Sequence, residues 1–167
     1  MRRIVDNKNK FLPINVIGRS IIICFDYEPI FKNGEETHYA SWFQEVFTYP
    51  PTIKEIKEAI LMGINRFTDD KILKGFKWKE MGVWLSTENQ FNYKAAYDLA
   101  FQTNGASLPT VFKFGTTEEP VYYKFDSLEE LTDFYTKALT YINEQLAIGW
   151  YKKDSINWSE YEKALNT

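Results

Sequence analysis

The chain has 167 residues, 44% of them hydrophobic and 26% charged, which is typical of a globular protein large enough to bury a hydrophobic core. Its net charge of −3 argues against a broad cationic surface for nucleic acid or anionic membranes, because phosphate binding requires clustered positive charge. Aromatic residues make up 17% of the chain, and we expect them to fill the core and to supply any surface that binds a partner.

The first fifty residues are typical of a β element. A β-branched run predicts a strand over residues 20–31, and the Asn33-Gly34 pair predicts the tight turn that joins it to a returning strand over 37–49. We expect residues 1–19 to form an edge strand or an extended arm. The first fifty residues therefore predict a β-hairpin element.

The returning strand contains an irregularity. Its alternation of apolar and polar residues slips between Trp42 and Phe43. A β-bulge would explain the slip, and burial of both faces of the strand would explain it equally well.

Consecutive prolines at Pro50-Pro51 predict a domain boundary, because they stop a strand and prevent a helix from extending backward through them. We therefore predict a β element over residues 1–50 and an α+β domain over 52–167.

A capping box formed by Thr52 and Glu55 opens the second region, and an apolar stripe behind it predicts a helix over 53–66. The Thr68-Asp69-Asp70 segment predicts a second cap, followed by a short turn that Gly75 ends.

An aromatic hairpin follows. Phe76 and Trp78 alternate with lysines, which predicts a strand, and residues 80–82 predict the turn, with Gly82 supplying the required dihedral angle. The returning strand covers 83–85.

A helix is predicted from about Thr87, with Ser86 or Thr87 as its N-cap and Asn104-Gly105 closing it. Several of its side chains are apolar, so we expect burial on more than one side. The principal buried face is predicted to contain Phe91, Ala95 and Leu99, widened by Tyr93, Ala96, Tyr97 and Ala100.

The C-terminal part predicts a second hairpin over residues 109–125 and then a long helix. Ser127 and Glu130 form another capping box, and the apolar spacing behind it extends to Lys153. Further helical turns are predicted around Trp158. The fold class is therefore α+β, with antiparallel β-hairpins packed on two long amphipathic helices.

Catalytic groups are scarce. Cys24 is the only cysteine and lies in an apolar run, which favours a buried, unreactive thiol. His38 is the only histidine, and zinc sites usually need several His or Cys ligands. A Cys24–His38 dyad across the first hairpin is geometrically conceivable, but the apolar run argues against a thiolate. We expect no catalytic residue, no cofactor and no metal site.

Paired carboxylates occur at 69–70, 118–119 and 129–130, but adjacent residues do not face each other across a cleft. An enzyme that uses a cleft carboxylate such as Asp69 or Glu88 nevertheless stays an alternative. A module that stacks single-stranded nucleic acid is a weaker alternative, because the charges around the aromatic strands are mixed.

Exposed aromatic side chains are good anchors for a partner protein, because they bury a large area with few rotatable bonds. The candidate partner-binding residues are Trp42, Trp78, Trp84, Tyr122 and Tyr123. Aromatic edge strands also make self-association an expectation.

Three segments carry a resemblance to a known family: GFKWKEMGVWLSTENQFNYKAAYDLA, SLPTVFKFGTTEEPVYYKF and SLEELTDFYTKALTYINEQLAIGW. Together they resemble a phage and prophage tail-fibre-associated domain of unknown function, over about residues 52–165. The resemblance implies a non-enzymatic role beside other tail or virion proteins. With no secretory signal and no run of about 18 apolar residues, we expect a soluble protein in the host cytoplasm during assembly or in the virion.

Overall fold

A computed structural model describes residues 3–6 and 12–166, apart from the side chains of Val5, Asp6 and His38. It has antiparallel sheets and four helices among those residues, which confirms the predicted α+β class. The strands are β1 Arg3–Asp6, β2 Ile14–Ile17, β3 Ser20–Lys32, β4 Glu35–Phe47, β5 Lys77–Trp78, β6 Met81–Gly82, β7 Thr110–Gly115 and β8 Pro120–Phe125. The helices are α1 Ile53–Gly75, α2 Thr87–Gln102, α3 Leu128–Asp154 and α4 Trp158–Leu165.

The chain forms two compact units, and the boundaries between them lie inside its two longest helices, α1 and α3. The terminal unit comprises Met1–Asn65 and Tyr151–Thr167, and the central unit comprises Arg66–Trp150. Both α1 and α3 therefore contribute to both units. The predicted boundary between 1–50 and 52–167 lies in the segment that joins β4 to α1. That division into domains stays a prediction.

The terminal unit contains a four-stranded antiparallel sheet in the order β1-β4-β3-β2. Asn33 and Gly34 have φ angles of 54° and 83°, which confirms the predicted left-handed hairpin turn between β3 and β4. The core of this unit packs side chains of β3 against α1 and α4. Its buried members are Ile23, Phe25, Ile56, Ile60, Ile64 and Tyr161.

A β-bulge accounts for the irregularity near Trp42, but it lies in the facing strand. Phe25 pairs with Phe43 and Glu28 pairs with Ser41, so two residues of β3 face Trp42 alone. The first of them, Asp26, has a φ of 54°. The pattern of β4 located the break in register without indicating which strand carries the extra residue.

The start of α1 is as predicted. The hydroxyl of Thr52 accepts the N–H of Glu55 at 3.3 Å, and the N–H of Thr52 donates to the Glu55 carboxylate at 2.7 Å. The bond from the Thr52 N–H, together with hydrogen bonds that the carboxylate accepts from the hydroxyls of Thr52 and Tyr49, lowers the pKa of Glu55.

The predicted end of this helix at residue 66 is wrong, because α1 continues to Gly75. Thr68 is not a cap. It is buried, and a Cβ at Gly149 would lie only 2.5 Å from its hydroxyl oxygen, so α3 approaches α1 closely there. Ile72 continues the buried stripe into the core of the central unit.

The predicted turn of the aromatic hairpin is displaced. Trp78 pairs directly with Met81, so the turn residues are Lys79 and Glu80, with φ angles of 46° and 65°. Gly82 instead belongs to β6 and pairs with Lys77. The predicted returning strand over 83–85 is also wrong, because the strand is Met81–Gly82 and residues 83–85 follow it. Non-glycine residues therefore occupy the left-handed positions, and contacts of the Lys79 side chain with Tyr123 and Glu130 hold the turn in place.

The N-cap of α2 is Ser86, whose hydroxyl accepts the N–H of Asn89 at 3.2 Å. The predicted principal face of this helix is wrong. Phe91 and Leu99 are exposed, whereas Tyr93 and Ala100 are buried. The helix therefore has two apolar stripes. The central unit buries the stripe of Tyr93 and Ala100, which was predicted only to widen the principal face.

The central unit has an aromatic core. Phe134 of α3 lies at ring-centroid distances of 5.4 Å from Phe114 and 5.2 Å from both Phe125 and Tyr93. The hairpin of β7 and β8 confirms the predicted strand pair and supplies Phe114 and Phe125. This core positions α2 and α3, whose outer faces form the candidate site.

At the start of α3, the hydroxyl of Ser127 accepts the N–H of Glu130 at 3.2 Å. The carboxylate of Glu130 instead binds Lys79 and Tyr123, so the Ser127 hydroxyl supplies its half of the predicted capping box and the Glu130 carboxylate is engaged elsewhere. The long C-terminal helix and the helical tail are confirmed by α3 and α4.

Candidate functional site

The five aromatic residues predicted to bind partners differ in accessibility. Trp84 and Tyr122 are exposed, Trp42 and Tyr123 are half-buried, and Trp78 is buried. Trp42 belongs to the terminal unit and the other four to the central unit. The structure therefore leaves Trp84 and Tyr122 as the most accessible members of the predicted set.

Trp78 is a core residue, with only 3% of its surface exposed. Its ring lies 5.4 Å from Phe134 and 6.1 Å from Phe125. The ammonium group of Lys137 lies 5.4 Å from its centroid, which is a cation–π distance. The indole fills the interior, so Trp78 is removed from the set of surface anchors.

Tyr123 is engaged in a polar cluster. Its hydroxyl donates to the Glu130 carboxylate at 2.5 Å and accepts from the Lys79 ammonium at 2.6 Å, while Lys79 also contacts Glu130. The hydrogen bond from Lys79, followed by that from Tyr123, lowers the pKa of Glu130. The same cluster raises the pKa of Lys79 to about 12. The cluster ties the β5–β6 hairpin to β8 and α3.

The outer sides of α2 and α3 form an apolar groove of about 250 Å³. Phe91, at 71% exposure, and Leu139 lie along it. Tyr135 also lines the groove; the ring of Tyr97 stacks on it at 4.7 Å, and the ring of Phe101 lies 6.1 Å from that of Tyr97. We call these five residues the α2–α3 patch.

The α2–α3 patch was missed as a surface by sequence reasoning. The sequence did contain a signal for it, because α2 carries two apolar stripes and a helix that packs against the core on one side can bury only one of them. Periodicity does not say which stripe faces outward. The exposed ion pair of Lys94 and Asp98, at 2.5 Å, lies on the same helix.

Cys24 is buried, as predicted, and burial raises the pKa of its thiol. The side-chain amide of Asn15 donates to its sulfur at 3.5 Å. In the register of β3 and β4, Gln44 rather than His38 lies opposite Cys24. The side chain of His38 lies outside the described part of the structure, so the dyad alternative stays untested.

The carboxylates considered for an enzyme are at the surface. Asp70 pairs with Lys74 at 2.5 Å, and Asp69 lines an open hollow of about 640 Å³ together with Arg66 and Thr87. Glu88 is exposed and is not among the residues that line this hollow. Within residues 3–6 and 12–166, no three or more His, Cys, Asp or Glu side chains are placed to hold a metal ion.

The described helices include none that combines the length and apolar character needed to cross a bilayer. Comparison of the chain with known protein families, curated proteins and solved structures found no match. The tail-fibre resemblance therefore stays a prediction.

Proposed function

We propose that this chain is a non-enzymatic interaction protein of phage or prophage origin, either a tail-associated structural component or an accessory factor for fibre assembly. It acts beside tail or virion proteins, in the host cytoplasm during assembly or in the virion. The observation that carries the proposal is the α2–α3 patch, and the resemblance of residues 52–165 supplies the biological setting.

Exposed aromatic area on α2 and α3 supports this proposal. Phe91, Phe101 and Leu139 leave apolar surface in water although the chain has a complete aromatic core elsewhere in the same unit. A contiguous apolar patch that includes aromatic residues is typical of a protein interface, because its burial releases free energy with little loss of side-chain freedom. Tyr97 and Tyr135 extend the patch with rings that are already stacked.

The α2–α3 patch can be tested by affinity purification of the tagged full chain from cells in which virions are assembling. We expect identified tail or fibre proteins to be enriched with the wild type. The double variant Phe91→Ala, Phe101→Ala should reduce that enrichment about tenfold. Both side chains are exposed, so the variant should remain folded.

Phe31→Ala provides the matched control, because Phe31 is a phenylalanine of comparable exposure on β3 of the terminal unit. The control should retain the wild-type enrichment. Recovery of no tail or fibre protein, together with normal virion formation after deletion of the gene, would contradict the proposal.

A further inference from the structure

Another concave region of the central unit lies beside Trp84, and its lining residues differ from those of the α2–α3 patch. It is an open cleft of about 600 Å³, within the range of about 300–1,000 Å³ typical of ligand sites. Segments of α2 and of the β7–β8 hairpin line it. Its lining includes one exposed aromatic residue, Trp84, and four polar residues, Asn92, Lys113, Thr117 and Glu118. We call this region the Trp84 cleft.

Trp84 lies in the segment that joins β6 to α2. Val83 and Leu85 on either side of it are both buried, whereas Trp84 is 48% exposed and lines the cleft. Its backbone is held on both sides. The N–H of Val83 donates to the carbonyl of Phe76 at 2.9 Å, and the carbonyl of Trp84 accepts the side-chain amide of Asn89 at 2.8 Å. The indole is therefore carried by a rigid segment.

The opposite rim is also fixed. Gly115 has a φ of 81°, and a Cβ at this position would lie 2.3 Å from the carbonyl oxygen of Glu119, so the turn requires glycine. The N–H of Glu119 donates to the hydroxyl of Thr116 at 3.0 Å. Both rims are formed without a ligand, which lowers the entropic cost of binding.

The polar groups of the cleft are available. Within the described residues, the side chains of Asn92, Lys113, Thr117 and Glu118 have no hydrogen-bonding or ion-pair partner. They supply amide, ammonium, hydroxyl and carboxylate groups that can donate to and accept from a ligand. The single cation and single anion cancel, so the cleft favours an uncharged ligand.

We propose that the Trp84 cleft binds a neutral saccharide. A sugar ring offers a C–H face that an exposed indole can cover and a rim of hydroxyl groups that both donate and accept hydrogen bonds. One accessible aromatic ring among amide, hydroxyl and carboxylate groups complements that chemistry.

Other ligand classes fit less well. A proline-rich peptide is recognised in a groove lined by several aromatic residues, but Tyr93 and Phe114 of this lining are buried and Phe112 is half-buried. Single-stranded nucleic acid requires positive surroundings, and Glu118 offsets Lys113.

The test is saturation-transfer-difference NMR of the full chain with neutral oligosaccharides of glucose, of galactose and of N-acetylglucosamine. At least one should bind, and Trp84→Ala should weaken its affinity about tenfold or more. Asn92→Ala should weaken it to a smaller extent. Trp150→Ala is the matched control, because Trp150 is 59% exposed and does not line the cleft, and it should leave the affinity unchanged.

Three outcomes would overturn the proposal. The first is that none of the oligosaccharides binds the wild type. The second is that Trp150→Ala weakens binding as much as Trp84→Ala. The third is that a proline-rich peptide or a single-stranded oligonucleotide binds through Trp84 while the oligosaccharides do not.

Discussion

The two compact units bury different chemistry. In the terminal unit, aliphatic side chains dominate the core, with Ile23 of β3 against Ile56, Ile60 and Ile64 of α1. In the central unit, aromatic rings from the two hairpins and from α2 surround Phe134 of α3. The high aromatic content is thus concentrated in the core of the central unit, and the same unit also carries an exposed aromatic face on α2.

The difference has a physical reason. In the terminal unit, α1 and the long strand β3 approach closely, and a Cβ at Gly63 would lie 2.5 Å from Cζ of Phe25. The short strand pairs of the central unit bury little backbone area of their own, so large rings fill the space between the hairpins and the helices.

The largest expected effect is that of Phe134→Ala in the aromatic core. The lost ring contacts and the resulting cavity should lower the free energy of unfolding by about 4 kcal/mol. Ile60→Ala in the aliphatic core should cost less, about 3 kcal/mol. Urea denaturation monitored by circular dichroism measures both. An equal or larger cost for Ile60→Ala would break the comparison.

A smaller effect is expected at the close approach in the terminal unit. Gly63→Val places a branched side chain against the ring of Phe25 and should lower the free energy of unfolding by about 2 kcal/mol. Gly82→Ala serves as the control, because a Cβ there meets nothing within 4 Å and no positive φ is involved. If both variants unfold at the wild-type urea concentration, the helix and the strand are not in tight contact.

The polar cluster of Glu130 should give a pH-dependent effect smaller than either core substitution. Its pKa is lowered in the folded state, so the stabilisation is complete above the ordinary value of 4.5 and is lost as the pH falls through the lowered pKa. Glu130→Gln should therefore reduce the urea midpoint at pH 7 and flatten its decline toward pH 3. A decline as steep as in the wild type would show that other carboxylates cause it.

The smallest effect is expected on the exposed face of α2. Phe91→Ser should change the free energy of unfolding by less than about 0.5 kcal/mol, because the ring lies in solvent. Tyr93→Ser, two positions along the same helix, should be strongly destabilising because it empties a buried site. Comparable costs at the two positions would mean that Phe91 also belongs to the core.

Local signals predicted much of the fold. The Asn33-Gly34 turn, the Thr52–Glu55 capping box and the Ser86 cap depend on nearby residues, and the structure contains all three. The extent of α1 could not be predicted in the same way. The Thr68-Asp69-Asp70 segment has the composition of a cap, but burial of Thr68 beside Gly149 keeps it helical.

The candidate surfaces were less predictable than the fold. Of the aromatic residues selected from the sequence, Trp84 is accessible and lines a cleft, whereas Trp78 is buried in the core. Phe91 was assigned to the interior and is exposed. Both errors concern which of two faces is covered, and local pattern does not contain that information.

By itself, the sequence determined the α+β class, the Asn33-Gly34 turn, the caps at the starts of α1 and α2, the β7–β8 strand pair and the buried thiol of Cys24, because capping, turn formation and apolar periodicity act between residues close in the chain. Only the tertiary structure decided which stripe of α2 faces solvent, which strand carries the bulge opposite Trp42, and where α1 ends. Those features depend on contacts between segments far apart in the chain, whose packing outweighs local preference.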